Sequence, residues 1–141
     1  MIDYFSPCIS KDQLLSISSL GLAHLGDSVF EVMVRVWICL SGQTSAKNLH
    51  KATVAYVSAP AQAARMERIA PLLTEEEAAV FRRGRNAEPH SIPKAATRAQ
   101  YQTATGLEAL FGWLYLQDRR DRLNYLFSQM MAEDKSSANP G

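Results

Sequence analysis

The 141-residue sequence predicts an all-α fold, a helical bundle. Apolar residues recur at the i, i+3, i+4 spacing of helices along almost the whole chain, and no stretch alternates apolar and polar residues as a half-buried strand does. Thr74 and Glu77 form a capping box, in which each side chain satisfies a backbone N–H group that the start of a helix leaves free. Because 47% of the residues are hydrophobic, the chain can bury one substantial core.

Six helices account for most of the chain. The first begins at Leu20 and ends before Ser41 and Gly42, and its apolar residues occupy most sides, so we expect it at the centre of the bundle. A breaker-rich segment, Gly84 to Pro93, is predicted to be a loop. The other five helices are expected at residues 46–57, 60–71, 74–83, 97–116 and 119–131.

The chain is expected to form a single domain over residues 1–134, followed by a disordered polar tail over residues 135–141. Cys8 and Cys39 show no metal-ligand spacing and do not make a disulfide framework, so free thiols in a reducing cytosol are expected. No signal peptide is visible, and the longest apolar run is interrupted by Glu31 and Arg35, so we expect no membrane association.

The formal net charge is only +1, but the charges are unevenly distributed. Between Arg82 and Arg98 one acid, Glu88, faces five basic residues, namely Arg82, Arg83, Arg85, Lys94 and Arg98. Such a cluster indicates contact with a polyanion. The alternative interpretation is a solvated loop that happens to be basic.

Two carboxylates stand out because each lies beside glycine on an apolar helix. Asp27 directly follows Gly26 in the first helix, and Glu108 lies between Gly106 and Gly112 in the fifth. Glycine inside a helix costs up to about 1 kcal/mol relative to alanine, so two in one helix indicate close approach of a neighbour. We expect that neighbour to be the first helix, crossing so that Asp27 and Glu108 meet.

Paired carboxylates suit a hard cation such as Mg²⁺, which takes oxygen ligands and keeps several waters. Asp27 is expected to be buried or half-buried, where a charge needs a partner or a cation. A structural ion pair is the alternative. Glu31 and Arg35 have the spacing of an exposed ion pair on the same helix face, and His24 is typical of a core or interface histidine.

Four motifs together resemble a known family. Leu25–Val29, with its Leu-Gly-Asp, is similar to the first acidic signature of ribonuclease III domains, and Leu107–Leu116 is similar to the second. Phe30–Arg35 and Arg82–Ala87 resemble the more specific motifs of Mini-ribonuclease III, the bacterial form with a catalytic domain and no double-stranded-RNA-binding domain. The resemblance extends over roughly Leu14–Phe127.

This resemblance implies an all-helical, homodimeric, cytoplasmic, Mg²⁺-dependent enzyme that cuts double-stranded RNA and matures the ends of 23S ribosomal RNA. It also implies that Asp27 is the essential acid of the first motif and that Glu108 is a metal ligand. Compared with full-length ribonuclease III, Ala23 and Thr105 stand where two further acids would be. Fewer carboxylates around the metal imply weak affinity and more coordination by water and RNA phosphate.

We therefore expect a metal-dependent endoribonuclease with Asp27 and Glu108 as catalytic residues. A dimer is expected to form through apolar side chains around the first helix, with Val29, Phe30 and Trp37 in excess of one small core. Selectivity would come from local RNA shape or from a ribosomal protein bound to the RNA. A catalytically silent RNA-binding scaffold and a plain helical interaction protein are the alternatives. The residues expected to bind RNA are Arg82, Arg83, Arg85, Asn86, Lys94 and Arg98.

Overall fold

The structure, a computed structural model, describes residues 1–42, 45–87 and 96–138. These residues form seven α-helices and one 3₁₀ turn, Ala70–Leu72, with no β-strand among them. The predicted all-α fold is confirmed. The helices are α1 (Lys11–Leu15), α2 (Ser19–Leu40), α3 (Ala46–Val57), α4 (Ala59–Ile69), α5 (Glu75–Arg85), α6 (Arg98–Leu116) and α7 (Arg120–Ala138).

Local capping chemistry explains why the predicted starts agree with the structure. The hydroxyl oxygens of Ser18, Ser45, Thr74 and Thr97 each accept a hydrogen bond from a backbone N–H in the first turn of α2, α3, α5 or α6. Helix α1 was not predicted, although Ser10 and Gln13 form a capping box there. It is only five residues long, and so short a helix shows no apolar periodicity.

The predicted loop began too early. Helix α5 continues through Gly84 to Arg85, and Gly84 is buried where α5 crosses α6. A Cβ atom on Gly84 would lie 2.7 Å from the Cβ atom of Ala109. This glycine therefore permits two helices to pack closely and does not end its helix. Residues 86 and 87 are a turn and a bend as predicted, and residues 88–93 of the predicted loop lie outside the described residues.

The last helix is longer than predicted. Helix α7 passes the expected end at Met131 and continues to Ala138, so it overlaps the first four residues of the predicted tail. Residues 139–141 lie outside the described part of the chain. The division into a domain over residues 1–134 and a disordered tail stays a prediction.

The core lies between α2, α6 and α7. The prediction that the first helix is central was wrong, because α6 holds that place: it packs against α2, α4, α5 and α7, whereas α2 leaves one face exposed. Phe30 of α2 has no exposed surface and packs edge-on against Phe111 and Phe127, with ring centroids 5.6 and 6.0 Å apart. Trp37 packs edge-on against Phe127 at 6.3 Å. Val29 is also buried. The residues expected to form a dimer interface, Val29, Phe30 and Trp37, instead pack within one chain, because they lie on the side of α2 that faces the core.

Helices α2 and α6 approach so closely that their backbones touch. A Cβ atom on Gly26 would lie 1.6 Å from the carbonyl oxygen of Glu108, and one on Gly112 would lie 2.1 Å from the carbonyl oxygen of Leu22. Only glycine fits at either position. The other glycine of α6, Gly106, faces Phe81 of α5 instead, so one of its two glycines contacts α2 as expected and the other does not.

A buried ion pair joins the start of α5 to α7. Glu77 is fully buried, and its two carboxylate oxygens accept hydrogen bonds of 2.7 and 2.8 Å from the guanidinium group of Arg122. Glu77 also accepts from the backbone N–H of Thr74, which completes the predicted capping box. Within the described ranges, no helix is both long enough and apolar enough to cross a membrane.

Candidate active site

The α2–α6 crossing brings the two predicted acids together. The Glu108 carbonyl group lies against Gly26, so the next residue of α2, Asp27, stands beside the turn of α6 that carries Glu108. The two side chains are close enough for the Asp27 carboxyl group to raise the pKa of Glu108. Residues 81 positions apart in sequence therefore meet at one point on the surface, as the glycine pattern predicted.

The two acids differ in their exposure to solvent. Asp27 is exposed, so the expectation that it is buried was wrong, whereas Glu108 is half-buried. The physical reason is the position of Asp27 on the outer side of α2, next to the buried Gly26 that makes the crossing. The pair thus combines a solvent-facing carboxylate with a partly desolvated one.

Burial, the largest cause, and interaction with the Asp27 carboxyl group together raise the pKa of Glu108 from 4.5 to about 9, while a hydrogen bond from Gln62 opposes the shift. Two carboxylates so close together cannot both ionise easily, so a proton remains between them at neutral pH. A divalent cation would remove the repulsion that holds this proton. Among the described residues no third acid, histidine or cysteine joins the pair.

We expect this proton to make the stability of the metal-free protein dependent on pH. The ordinary pKa of Glu108 is 4.5 and its folded-state pKa is about 9, so between these values the folded chain holds a proton that the unfolded chain releases. The free energy of unfolding therefore decreases as pH rises through this range. Glu108→Gln removes the effect and should melt above the wild type at pH 8 in EDTA, but not at pH 4.5. If the variant and the wild type melted at the same temperature at pH 8 as well as at pH 4.5, the raised pKa of Glu108 would be contradicted.

A residue that the sequence did not single out completes the site. Gln62 of α4 is 1% exposed, and its side-chain Nε2 donates hydrogen bonds to Glu108 Oε2 at 3.3 Å and to the Val57 carbonyl oxygen at 2.9 Å. One sequence signal could have revealed it. Gln62 shares the buried face of α4 with Met66 and Ile69, where a polar side chain is out of place.

The two positions that depart from full-length ribonuclease III are both buried. Ala23 offers no ligand atom, and the Thr105 hydroxyl donates to the Tyr101 carbonyl oxygen of its own helix at 3.0 Å. Glu31 and Arg35 form the predicted exposed ion pair at 2.9 Å. His24 is exposed in this chain and so is not a core residue.

The basic residues lie at the end of α5 and the start of α6. Arg82, Arg83, Asn86 and Arg98 are exposed, and Arg85 is half-buried with its guanidinium group 5.7 Å from the centre of the Phe81 ring. The α5 residues are within one turn of Gly84, which packs against the α6 turn preceding Glu108. Lys94 lies outside the described residues. The structure thus places these basic residues on α6, the helix that carries Glu108, and on α5, which packs against it.

The solvent-exposed face of α2 carries a row of apolar side chains. Val32, Val36 and Leu40 follow at intervals of four residues and are 59%, 55% and 83% exposed. Residues at this spacing share one face of a helix. This row was not the one expected from the sequence, although it lies on the same helix.

Comparison with known proteins agrees with this geometry. The family model described as Ribonuclease III domain matches residues 20–119, which includes both acids and the basic end of α5. The chain belongs to the ribonuclease III family. Membership in this family confirms the predicted enzyme class, a metal-dependent endoribonuclease.

The relatives of this ribonuclease III family member identify the subgroup. This chain is 44% identical over 110 residues to Mini-ribonuclease 3 of Symbiobacterium thermophilum, and the alignment covers 78% of this chain and 85% of that protein. This chain is also 36% identical over 134 residues to Mini-ribonuclease 3 of Clostridium tetani, and that alignment covers 94% of this chain and 89% of that protein. A crystal structure of a Fusobacterium nucleatum protein superposes with a TM-score of 0.82 at 28% identity, covering 92% of this chain and 99% of that one. The predicted resemblance to Mini-ribonuclease III is confirmed.

Proposed function

We propose that the protein is a Mg²⁺-dependent endoribonuclease that cuts double-stranded RNA, with Asp27 and Glu108 as its metal ligands and catalytic residues. The proximity of the two carboxyl groups carries this proposal, since it gathers two hard oxygen donors at one exposed point of the surface. Neither acid has a lysine or arginine that would neutralise it among its described hydrogen-bonding or ion-pair partners.

The chemistry of the donors fits a divalent cation. Its charge would offset the like-charge repulsion that raises the pKa of Glu108. When bound, Mg²⁺ supplies Lewis-acid chemistry, because it lowers the pKa of water and stabilises negative charge on a phosphate. Asp27, which is exposed, faces the substrate side, and the half-buried Glu108 anchors the pair to the α2–α6 crossing.

A direct experiment tests this function. The pure protein is incubated with a long RNA duplex, the same sequence as a single strand, and a DNA duplex, each with Mg²⁺ or with EDTA. We expect internal cleavage of the RNA duplex only, and only with Mg²⁺. An intact RNA duplex after incubation with Mg²⁺ would favour a catalytically silent RNA-binding scaffold.

The basic residues at the end of α5 and the start of α6 are proposed to bind the RNA backbone. An A-form duplex is recognised mostly through its phosphates, 2′-hydroxyls and shape, for which arginine is well suited. The residues assigned this role are Arg82, Arg83, Arg85, Asn86, Lys94 and Arg98.

Replacing the exposed residues Arg82, Arg83 and Arg98 by alanine should weaken duplex binding and reduce its salt dependence by about one unit of slope per lost phosphate contact. KM should rise more than kcat falls, because these side chains do not reach the scissile bond. Affinity is measured in EDTA at several salt concentrations. Arg120→Ala, at the exposed start of α7, is the matched control and should bind normally. An unchanged salt slope in the triple variant would mean that another face holds the RNA.

The protein is further proposed to act as a homodimer, which would present two acid pairs to the two strands of one duplex. The exposed row Val32, Val36 and Leu40 supports this proposal, since a contiguous apolar patch usually marks an interface. It also lies on the helix that carries Asp27, so a dimer built on it would fix the relative position of the two sites.

Val36→Glu should convert the dimer to a monomer, because it places an uncompensated charge in the interface. Sedimentation equilibrium at micromolar concentration measures the mass, which is 15.6 kDa for one chain. Val54→Glu, at an exposed valine of α3, is the control and should leave the dimer intact. A wild-type mass of one chain would remove the proposed two-strand mechanism.

The proposed cellular substrate is the precursor of 23S ribosomal RNA in the cytoplasm. The ribonuclease III family match and the Mini-ribonuclease 3 relatives support the RNA class. A ribosomal protein bound to the precursor would present its duplex in the required shape. Both cysteines are exposed free thiols, which agrees with a reducing compartment.

A further inference from the structure

We infer that Gln62 is a positioning residue that holds the Glu108 carboxylate in the orientation required to bind a divalent cation together with Asp27. This inference rests on the proposed function of the acid pair. It concerns a buried amide on α4, a helix that contributes no acid to the site.

Both N–H bonds of the Gln62 side-chain amide donate a hydrogen bond. Nε2 donates to the Val57 carbonyl oxygen at 2.9 Å and to Glu108 Oε2 at 3.3 Å, so one amide group joins the end of α3 to the middle of α6. The reverse orientation would place the amide oxygen against two acceptors and is excluded by repulsion. Because Val57 contributes a backbone carbonyl, the direction of the second N–H bond is set by the main chain.

The consequence for Glu108 is a loss of freedom. A glutamate side chain has several rotamers, and once the proton between the two carboxyl groups is lost, a half-buried glutamate would turn away from the second carboxylate to reduce repulsion. A hydrogen bond to Oε2 opposes this rotation and keeps the carboxyl group at Asp27. Residues that orient a metal ligand in this way typically change metal affinity by 10- to 100-fold when replaced.

The chemical type of the residue also fits this role. A lysine or arginine at position 62 would orient Glu108 equally well, but its positive charge would neutralise the carboxylate and compete with the cation. Glutamine donates a hydrogen bond without a net charge. Gln62 is also fully within the core, and its Oε1 atom accepts no hydrogen bond from the described residues. A stability role alone does not explain a buried amide with one unsatisfied atom, since leucine or methionine would fill the same space without that cost.

The test measures metal binding directly, in the absence of RNA. Mn²⁺ is titrated into the wild type, Gln62→Met and Glu108→Gln, and free Mn²⁺ is followed by electron paramagnetic resonance. Methionine matches glutamine in length but donates no hydrogen bond, and we expect the Mn²⁺ Kd to rise about 10-fold or more. Thr53→Val is the control, because Thr53 is a buried polar residue whose hydroxyl donates only to the Leu49 carbonyl oxygen of its own helix. It should bind Mn²⁺ as the wild type does.

A double variant separates positioning from a general structural effect. If Gln62 acts through Glu108, then Gln62→Met should weaken Mn²⁺ binding no further in a Glu108→Gln background. An additional loss there, or a wild-type Kd in the single variant Gln62→Met, would overturn the inference. Wild-type Mn²⁺ binding by Glu108→Gln would instead overturn the proposed metal site itself.

The wild-type protein supplies a measurement that does not depend on the folding of any variant. Addition of Mg²⁺ should shift the side-chain amide resonances of Gln62 in a nitrogen–proton spectrum, because the carboxylate that they contact changes its partner. The Gln13 amide group, in the capping box of α1, should not shift. Unchanged Gln62 resonances at saturating Mg²⁺ would overturn the inference.

Discussion

Asp27→Asn and Glu108→Gln should each lower kcat for cleavage of an RNA duplex by at least about 100-fold. The site has two protein carboxylates among the described residues, so loss of either leaves a cation held by one charged ligand. Metal catalysis contributes several kcal/mol of transition-state stabilisation, and 1.36 kcal/mol corresponds to a factor of ten in rate. Single-turnover cleavage at saturating enzyme, over a range of Mg²⁺ concentrations, measures the effect.

The matched control is Glu31→Gln, which removes an acid one turn beyond Asp27 on the same helix. Glu31 pairs with Arg35 on the exposed surface, and such pairs contribute between about 0 and 1 kcal/mol. We expect its cleavage rate to stay close to that of the wild type. Glu108→Gln should fold, since its stability at pH 8 is expected to exceed that of the wild type. Cleavage at wild-type rate by Asp27→Asn at saturating Mg²⁺ would show that Asp27 is not a ligand.

Gly26→Ala should lower the free energy of unfolding by at least about 3 kcal/mol, at the upper end of what overpacking usually costs. The added methyl group would lie 1.6 Å from the carbonyl oxygen of Glu108 and 2.8 Å from the backbone nitrogen of Gly112. Both atoms belong to the main chain of α6, so no side-chain rotation can relieve the overlap. The helices must separate, and the Phe30–Phe111 contact beside the crossing is lost. Thermal unfolding followed by circular dichroism measures the effect.

The control for this substitution is Gly21→Ala in the first turn of the same helix. There the nearest atoms to a new Cβ are side-chain atoms, Ile17 Cγ2 at 3.1 Å and Ser18 Oγ at 3.2 Å, which can move by the few tenths of an ångström required. Alanine also has the higher helix propensity, by up to about 1 kcal/mol. We expect a melting temperature within a few degrees of the wild type. A similar result for Gly26→Ala would mean that α2 and α6 can separate without loss of the core.

The sequence predicted those parts of the fold that local chemistry determines. Helix starts with Ser or Thr caps agree with the structure, and α3 has the predicted bounds, because capping bonds form within one turn. The proximity of Asp27 and Glu108 was also predicted, since glycines within apolar helices, here Gly26 and Gly112, indicate a close crossing of two helices.

Features that depend on how the helices pack against one another were not predicted. Gly84 has the same local signal whether it ends a helix or admits a neighbouring one, and only the position of Ala109 on α6 distinguishes the two. The exposure of Asp27 depends on which side of α2 faces solvent. Gln62 acquires its role from Glu108, which lies 46 positions away on another helix.

The contact between Gly26 and the Glu108 carbonyl group has a consequence for evolutionary tolerance. The separation of the two acids is set by main-chain atoms, and main-chain positions at a glycine contact do not depend on which apolar side chains fill the surrounding space. Homologues can therefore exchange one aliphatic or aromatic core residue for another and keep the same spacing between the acids. The same contact leaves Gly26 itself without an acceptable substitute, so variation should be common in the core and absent at that glycine.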